Sequence, residues 1–379
     1  MKEPKIRFQG FEGKWEESTI GKVTSVNRGV RVTRKNLSDH GLYPVYQNTD
    51  YPMGYYNRYN VESNNPFVII GGSAGLIGFC DKDFWAADDC AYFSDSVKID
   101  KFYLYCMLLN KSSEIKKNVR GSSVPRLDRQ VINDLNISLP SIKEQQSIAS
   151  YFQHLDSLIQ STTKKIESLK QVKAASLQSM FPQEGETTPR VRFKGFEGEW
   201  EKVSFGQFGS VAMCKRIFKD QTMDKGEVPF YKIGTFAMEP DAYISKELFI
   251  EYKSKFSFPQ KGDILISAAG TIGRTIQYNG EDAYFQDSNI VWLKHGNEID
   301  NTFLMYIYSL VKWNGLEGAT IKRLYNNIIL ETEFLLPPVE EQRAIASFFT
   351  ILDRKITLHT QRLEKLKQIK SACLDNMFV

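Results

Sequence analysis

The chain has 379 residues, 25% of them charged and 13% aromatic, and a net charge of only +4. This is the composition of a folded protein with room for two or three domains; it excludes a disordered chain and a strongly basic tail, but not a local basic face. No run of about 18 apolar residues marks a membrane span, and the opening MKEPKIRFQGFEGKW has no apolar signal-peptide core.

The first recognisable segment is RFQGFEGKWE at 7–16, and it recurs as RFKGFEGEWE at 192–201, with eight of ten positions identical. Each copy precedes a stretch of short β-branched runs punctuated by Gly, Asn and Asp. Val68-Ile69-Ile70, Val97-Lys98-Ile99, Ile264-Leu265-Ile266 and Ile290-Val291-Trp292-Leu293 are expected strands. Short helices are expected at 102–111 and 302–311. The two stretches are related: YPVY at 43–46 answers VPFY at 228–231, FVIIGGSAGLIG at 67–78 answers DILISAAGTIGR at 263–274, and GSSVPRL at 121–127 answers GATIKRL at 318–324. Each reads as an α+β globule with a curved, mostly antiparallel sheet.

Each globule ends in Leu-Pro followed by a long amphipathic segment, LPSIKEQQSIASYFQHLDSLIQSTTKKIESLKQVKAASLQSMF at 139–181 and LPPVEEQRAIASFFTILDRKITLHTQRLEKLKQIKSACLDNMF at 336–378. Of the 43 aligned positions 21 are identical. Ser141 with Glu144 fits a capping box, whereas the second copy has Pro338 with Glu340 and Glu341 near the positive helix end. Apolar residues step by four and three through Ile148, Phe152, Leu155, Ile159, Ile166 and Leu169, and through Ile345, Phe349, Leu352, Ile356, Leu363 and Leu366. That stripe is narrow, the seam of a helix pair rather than a broad core face, interrupted at Thr162 and His359 and again at Lys173 and Lys370. Two such seams in one chain are expected to pack on each other. The order is tag, globule, helix, tag, globule, helix, with boundaries at 1–138, 139–181, a Pro- and Gly-containing linker at 182–191, 192–335 and 336–379.

Several stretches invite a chemical reading. Gly71-Gly72-Ser73-Ala74-Gly75 follows a strand, but its spacing is not GxGxxG, no GxxxxGK[ST] exists in the chain, and a tight β turn accounts for it. Asn65-Pro66-Phe67 is at most a truncated adenine-methyltransferase motif. Pro240-Asp241 with Glu251 and Lys253 has the PD-ExK spacing in which two carboxylates hold Mg²⁺ and a lysine polarises water. The first globule has no counterpart, and 245–255 also reads as a helix with a charged face. The histidines His40, His154, His295 and His359 form no metal-ligand spacing. The cysteines Cys80, Cys90, Cys106, Cys214 and Cys373 are scattered without a CxxC, so free thiols in a reducing cytoplasm are expected.

What repeats in both globules is basic and amide residues interleaved with aromatics. In the first these are Arg28, Arg31, Arg34, Lys35, Tyr46, Gln47, Asn48, Arg120 and Arg126; in the second, Lys215, Arg216, Lys219, Tyr231, Lys232, Arg274, Lys322, Arg323 and Asn326. Arg31 aligns with Arg216, Arg34 with Lys219 and Arg126 with Arg323. Arginine to guanine and Asn or Gln to adenine are the usual base-edge pairings, and lysine takes phosphate. Each residue alone reads as solvated surface charge, but as a repeated set they point to DNA contact. Tyr43, Tyr51, Tyr55, Tyr56 and Tyr59 read as core rather than as stacking platforms.

Two diverged globules, each followed by an LPxxxEQxxIA…LD helix, resemble the specificity subunit of type I restriction–modification systems. Leu139, Pro140, Glu144, Gln145, Ile148, Ala149, Leu155 and Asp156 carry the resemblance, with Leu336, Pro337, Glu341, Gln342, Ile345, Ala346, Leu352 and Asp353. The resemblance implies two target-recognition domains, each reading half of a bipartite DNA site, separated by an antiparallel helix pair. It implies no catalysis by this chain and no cofactor bound to it. S-adenosylmethionine, ATP and Mg²⁺ are expected on two modification and two restriction subunits. A stand-alone nuclease built on Asp241, Glu251 and Lys253, and a scaffold that does not bind DNA, remain the alternatives.

Overall fold

The computed structural model describes residues 3–313 and 323–379. Two compact units divide the chain, Met1–Lys165 with His359–Val379, and Ile166–Leu358. Both long helices therefore contribute a segment to each unit.

In the first unit the chain runs through β1 (Glu16–Thr19), α1 (Ile20–Val23), β2 (Val26–Arg28), β3 (Tyr43–Tyr46), β4 (Tyr55–Tyr56), β5 (Asn65–Ile69), β6 (Ile77–Cys80), β7 (Trp85–Ala86) and β8 (Cys90–Phe93). It continues through α2 (Lys101–Asn110), α3 (Ser112–Lys117), α4 (Arg129–Asn133), β9 (Asn136–Leu139) and α5 (Ile142–Met180). One sheet has the order β2-β8-β5-β6, a second β4-β3-β7, and β1 pairs with β9 in the register Glu16↔Leu139. All of these pairs are antiparallel except β3 with β7. Asn65-Pro66-Phe67 is simply the buried start of β5, where Asn65 Nδ2 donates to Phe93 O at 2.9 Å. The glycine loop joins β5 to β6 as the tight turn expected, with Gly72 and Gly75 at φ of 78° and 86°. α2 lies within one residue of its expected place because Asp100 caps it, accepting from the backbone N–H of Phe102 and Tyr103 at 2.9 Å.

The second unit repeats the plan. It holds β10 (Glu201–Ser204), β11 (Gly209–Ala212), β12 (Val228–Tyr231), β13 (Tyr243–Ile244), α6 (Lys246–Lys255), β14 (Ile264–Ser267), β15 (Thr275–Gln277), β16 (Tyr284–Phe285) and β17 (Ile290–His295). α7 (Asn301–Leu310), α8 (Asn326–Glu331), β18 (Glu333–Leu336) and α9 (Val339–Met377) follow. The sheets are β11-β17-β14-β15 and β13-β12-β16, with β10 on β18, and here too only the β12–β16 pair is parallel among the described residues.

At 1.5 Å per residue, α5 and α9 with 39 residues each are about 58 Å long. In the first unit they run antiparallel: Lys370 Nζ meets Asp156 Oδ1 at 2.5 Å, Tyr151 OH lies 3.5 Å from Cys373 Sγ, and the rings of Phe152 and Phe378 are 6.0 Å apart. The second unit mirrors this with Lys173 on Asp353 at 2.5 Å and Phe181 on Phe349 at 6.0 Å. The stripe interruptions at Lys173 and Lys370 are thus ion-pair positions. Thr162, the other interruption on α5, is buried and turns its hydroxyl back to Leu158 O at 2.7 Å.

Several expectations are corrected. The apolar stripe is more than a helix seam, because Ile148, Phe152 and Leu155 share one core with Trp15, Phe93, Tyr103 and Phe378. Ile345, Phe349 and Leu352 likewise share a core with Leu169, Phe181, Trp200 and Phe303. The first turns of each helix are core residues of their own globule. Val97-Lys98-Ile99 is a turn, with Val97 93% exposed. Tyr51 and Tyr59 are 66% and 46% exposed rather than core, and Tyr43, Tyr55 and Tyr56 are half-buried.

The capping box is half formed. Ser141 Oγ accepts from Glu144 N at 3.3 Å, but the Glu144 carboxylate turns to Arg7, whose Nε and Nη2 reach it at 2.8 and 2.9 Å. Arg192 holds Glu341 in the same fork at 2.7 Å on both arms. Arg7 is itself braced by the carbonyls of Glu12 and Gly13. The repeated tag is therefore a clasp on the first turn of each long helix. The neighbouring glutamine completes it: Gln145 donates to Lys98 O and Pro140 O and accepts from Asp100 N, and Gln342 does the same with Glu298 O, Pro337 O and Asp300 N. Both Glu-Gln pairs are buried, which explains why neither residue type varies between the two copies of the helix.

Candidate nucleic-acid interface

In the first globule Arg28, Asn48, Arg120 and Arg126 lie around the turn between β7 and β8. Ile70 N donates to Asp89 O at 2.8 Å, and Leu127 N to Ile70 O at 2.9 Å, which lays the segment carrying Arg126 beside the end of β5. Gly71 bridges Arg126, and Arg126 bridges Arg120. Gly72 N reaches Pro125 O at 3.1 Å and Ser73 N reaches Asn48 O at 3.2 Å. The backbone thus gathers Asn48, Arg120 and Arg126, all exposed, around Asp88 and Asp89. Arg28 joins them by donating Nε to Asp88 O at 2.7 Å, and Arg126 Nη1 lies 3.4 Å from Asp89 Oδ1. A Cβ on Gly71 would meet the Asp89 carboxylate at 2.3 Å, so a side chain here would displace that acid.

The second globule builds the same crossing. Ala268 N donates to Asn289 O at 2.7 Å, Leu324 N to Ala268 O at 2.8 Å, and Ala269 bridges Arg323. Arg126 and Arg323 therefore occupy equivalent places, as do Asp89 and Asn289. Arg216 Nε meets Asp287 Oδ2 at 2.8 Å on the turn before β17. Arg34 and Lys219 each open a one-turn 3₁₀ helix, Arg34–Asn36 and Lys219–Gln221, at matching points.

Other candidates stand elsewhere. Arg31, Arg34 and Lys35 are exposed on the segment between β2 and β3, Lys219 is exposed, and Lys215 lies 5.1 Å over the Phe256 ring. Arg274 donates Nη1 to Phe236 O at 2.9 Å, Lys232 pairs with Asp241 at 2.8 Å, and Asn326 is the exposed first residue of α8. Gln47 is half-buried. Tyr231 is half-buried and stacked on Phe285 at 5.9 Å, and burial raises its phenol pKa. Tyr46 is a correction: at 8% exposure it fills the core with Phe67 and Phe84, its hydroxyl on Cys80 Sγ at 3.8 Å, so it has no free face for a base. Lys322 lies outside the described residues.

The carboxylates of the β7–β8 and β16–β17 turns escaped the sequence reading. The signal was present, since WAADD at 85–89 and YFQDS at 284–288 each run from an aromatic strand into an acidic turn, but a carboxylate repels phosphate and so does not read as a DNA contact. The PD-ExK residues are engaged separately. Asp241 is on Lys232, Glu251 pairs with Lys255 at 3.0 Å on α6, and Lys253 lies 5.0 Å over both Phe249 and Phe258. Among the described residues no group of three His, Cys, Asp or Glu side chains is arranged to hold a metal.

The fold is a tandem duplication, with Arg126 and Arg323 exposed at matching places on two globules and a long helix closing each. The profile of the type I restriction modification DNA specificity domain matches residues 12–171 and 197–368, one match per repeat. A relative from Haemophilus influenzae described as a putative type I restriction enzyme specificity subunit is 35% identical, over 95% of this chain and 91% of its own. The MjaVIII specificity subunit of Methanocaldococcus jannaschii is 22% identical over 95% and 91% of the two chains. The crystal structure of a type I S subunit from M. genitalium has the same fold, with a TM-score of 0.74, 17% identity, and coverage of 100% of this chain and 99% of that one. The chain belongs to the type I restriction–modification DNA specificity family. It is a sequence-specific DNA-recognition subunit that works in a complex with other restriction–modification subunits rather than as an enzyme alone.

Proposed function

We propose that each globule reads one half of a bipartite target and that α5 and α9 set the unspecified spacer between the halves. The observation that carries this is the repetition of one recognition architecture, the loop crossing at Arg126 recurring at Arg323, on two globules whose loop residues differ. Equivalent scaffolds bearing different side chains suit two different half-sites. Base-edge contacts from some of the arginines and amides supply specificity, and the other basic residues hold phosphate. In this reading two modification subunits and two restriction subunits assemble on the chain in the cytoplasm. S-adenosylmethionine, ATP and Mg²⁺ bind to those partners. Among the described residues no helix is long and apolar enough to cross a membrane.

The test is to replace residues 17–138 with the first globule of another family member and map adenine methylation by the complex with its modification partner. One half of the methylated motif is expected to change while the other and the spacer persist. A change in both halves would refute the assignment of one globule to one half-site.

A further inference from the structure

The two recognition turns put carboxylates where a DNA-binding surface ordinarily avoids them. Asp287 and Asp89 are well shielded, with side-chain exposures of 15% and 20%, whereas the arginines they hold, Arg216 and Arg126, are 60% and 62% exposed. The acids are shielded and the guanidinium groups they meet are exposed. Asp287 is fixed further by Ser288, whose hydroxyl donates to Oδ2 at 3.2 Å and whose φ of 60° marks a tightly specified turn. Each contact engages one edge of its arginine. Arg216 gives Nε, and Arg126 gives Nη1. A guanidinium has five N–H donors in a rigid plane, so an edge held by a carboxylate leaves another pair of parallel N–H groups aimed outward, the geometry that matches guanine O6 and N7.

We propose that Asp287 and Asp89 are specificity-determining positioning residues, each orienting its arginine for base readout while its own charge disfavours use of that arginine on phosphate. The idea rests on the DNA-recognition reading above and adds to it a division of labour. Paired arginines discriminate, and basic residues with no carboxylate partner on this turn, such as Arg31, Arg34 and Lys219, supply affinity. The physical basis is that a paired arginine adds little net charge to the surface, so it contributes little to counterion release on any sequence. Its fork gains a full pair of hydrogen bonds only on the right base. The Asp287–Arg216 contact at 2.8 Å is the firmer of the two, and the test is made there.

The complex of this chain with its modification subunits is measured against two duplexes, one carrying the motif recovered by methylation mapping and one with the second globule's half-site scrambled. For Asp287→Ala, motif affinity is expected to fall about tenfold. Affinity for the scrambled duplex is expected to hold or rise, and the slope of log K against log salt to steepen by up to about one, as one more cation becomes free for phosphate. Arg216→Ala should lose discrimination to a similar degree, and adding Asp287→Ala to it should change discrimination no further. Asp287→Glu should restore part of the preference. Equal losses on both duplexes, unchanged discrimination, or additive losses in the double variant overturn the proposal. Should Asp287→Ala lower the unfolding midpoint of the complex, Asp287→Asn keeps the size and removes the charge. It is expected to tighten scrambled-duplex binding and reduce the preference, and an unchanged preference again overturns the idea. A wild-type complex that fails to prefer the motif duplex would sink the recognition reading and this proposal together. Variants that keep the wild-type preference sink this proposal alone.

Discussion

Arg7→Ala is expected to be among the most damaging single changes outside the apolar core. Glu144 is 2% exposed, and both of its carboxylate oxygens are engaged by Arg7 in a two-armed fork. Truncating the arginine leaves a buried carboxylate with no counter-charge, which costs about 3–5 kcal/mol, against at most about 1 kcal/mol for an exposed pair. For a unit of this size each kcal/mol moves the unfolding midpoint by about 2–4 °C, so the first unit is expected to melt roughly 6–20 °C earlier. Scanning calorimetry reads this, with Arg192→Ala as the matching change on Glu341 in the second unit. The double variant Arg7→Ala/Glu144→Gln removes the stranded charge and should recover at least half of the loss. A loss under about 1 kcal/mol, or a double variant no more stable than the single, would refute the clasp as a buried charge pair.

Arg126→Ala or Arg323→Ala should cost about 1–3 kcal/mol of motif binding if the residue reads a base, or reduce the salt slope by about one if it meets only phosphate; unchanged affinity and slope would return both to ordinary surface charge. Adding one heptad to both α5 and α9 lengthens each by about 10 Å and preserves the seam period. The spacer of the methylated motif is then expected to grow by up to about three base pairs at 3.4 Å each, and an active complex with the original spacer would show that the helices do not measure the site. Burial pushes the Cys214 thiol up to about 12 and raises those of Cys80, Cys90 and Cys106, so at pH 8 these four stay protonated. They should react with a thiol reagent only after denaturation, as a titration before and after adding guanidinium will report.

Elements whose causes are local or periodic can be read along the chain. The two long helices, α2 and α7 to within one residue, the tight turn between β5 and β6 and the tandem plan were legible because spacing and self-similarity lie along the chain. The equivalence of Arg126 and Arg323 was legible for the same reason. Contacts between residues far apart in sequence emerge only from packing. Arg7 meets Glu144 across 137 positions and Arg216 meets Asp287 across 71, and no periodicity links either pair. Tyr46 sits in a Tyr-Gln-Asn run that looks like a recognition stretch, yet it is core, because strand alternation turns its ring into the sheet packing. The stripe on α5 carries one apolar period whether it faces a partner helix or a globule, and only the fold shows that its first turns face both. Charge behaves likewise: a carboxylate next to an arginine loop is invisible to composition, and its effect depends on a separation of a few ångströms that only packing sets.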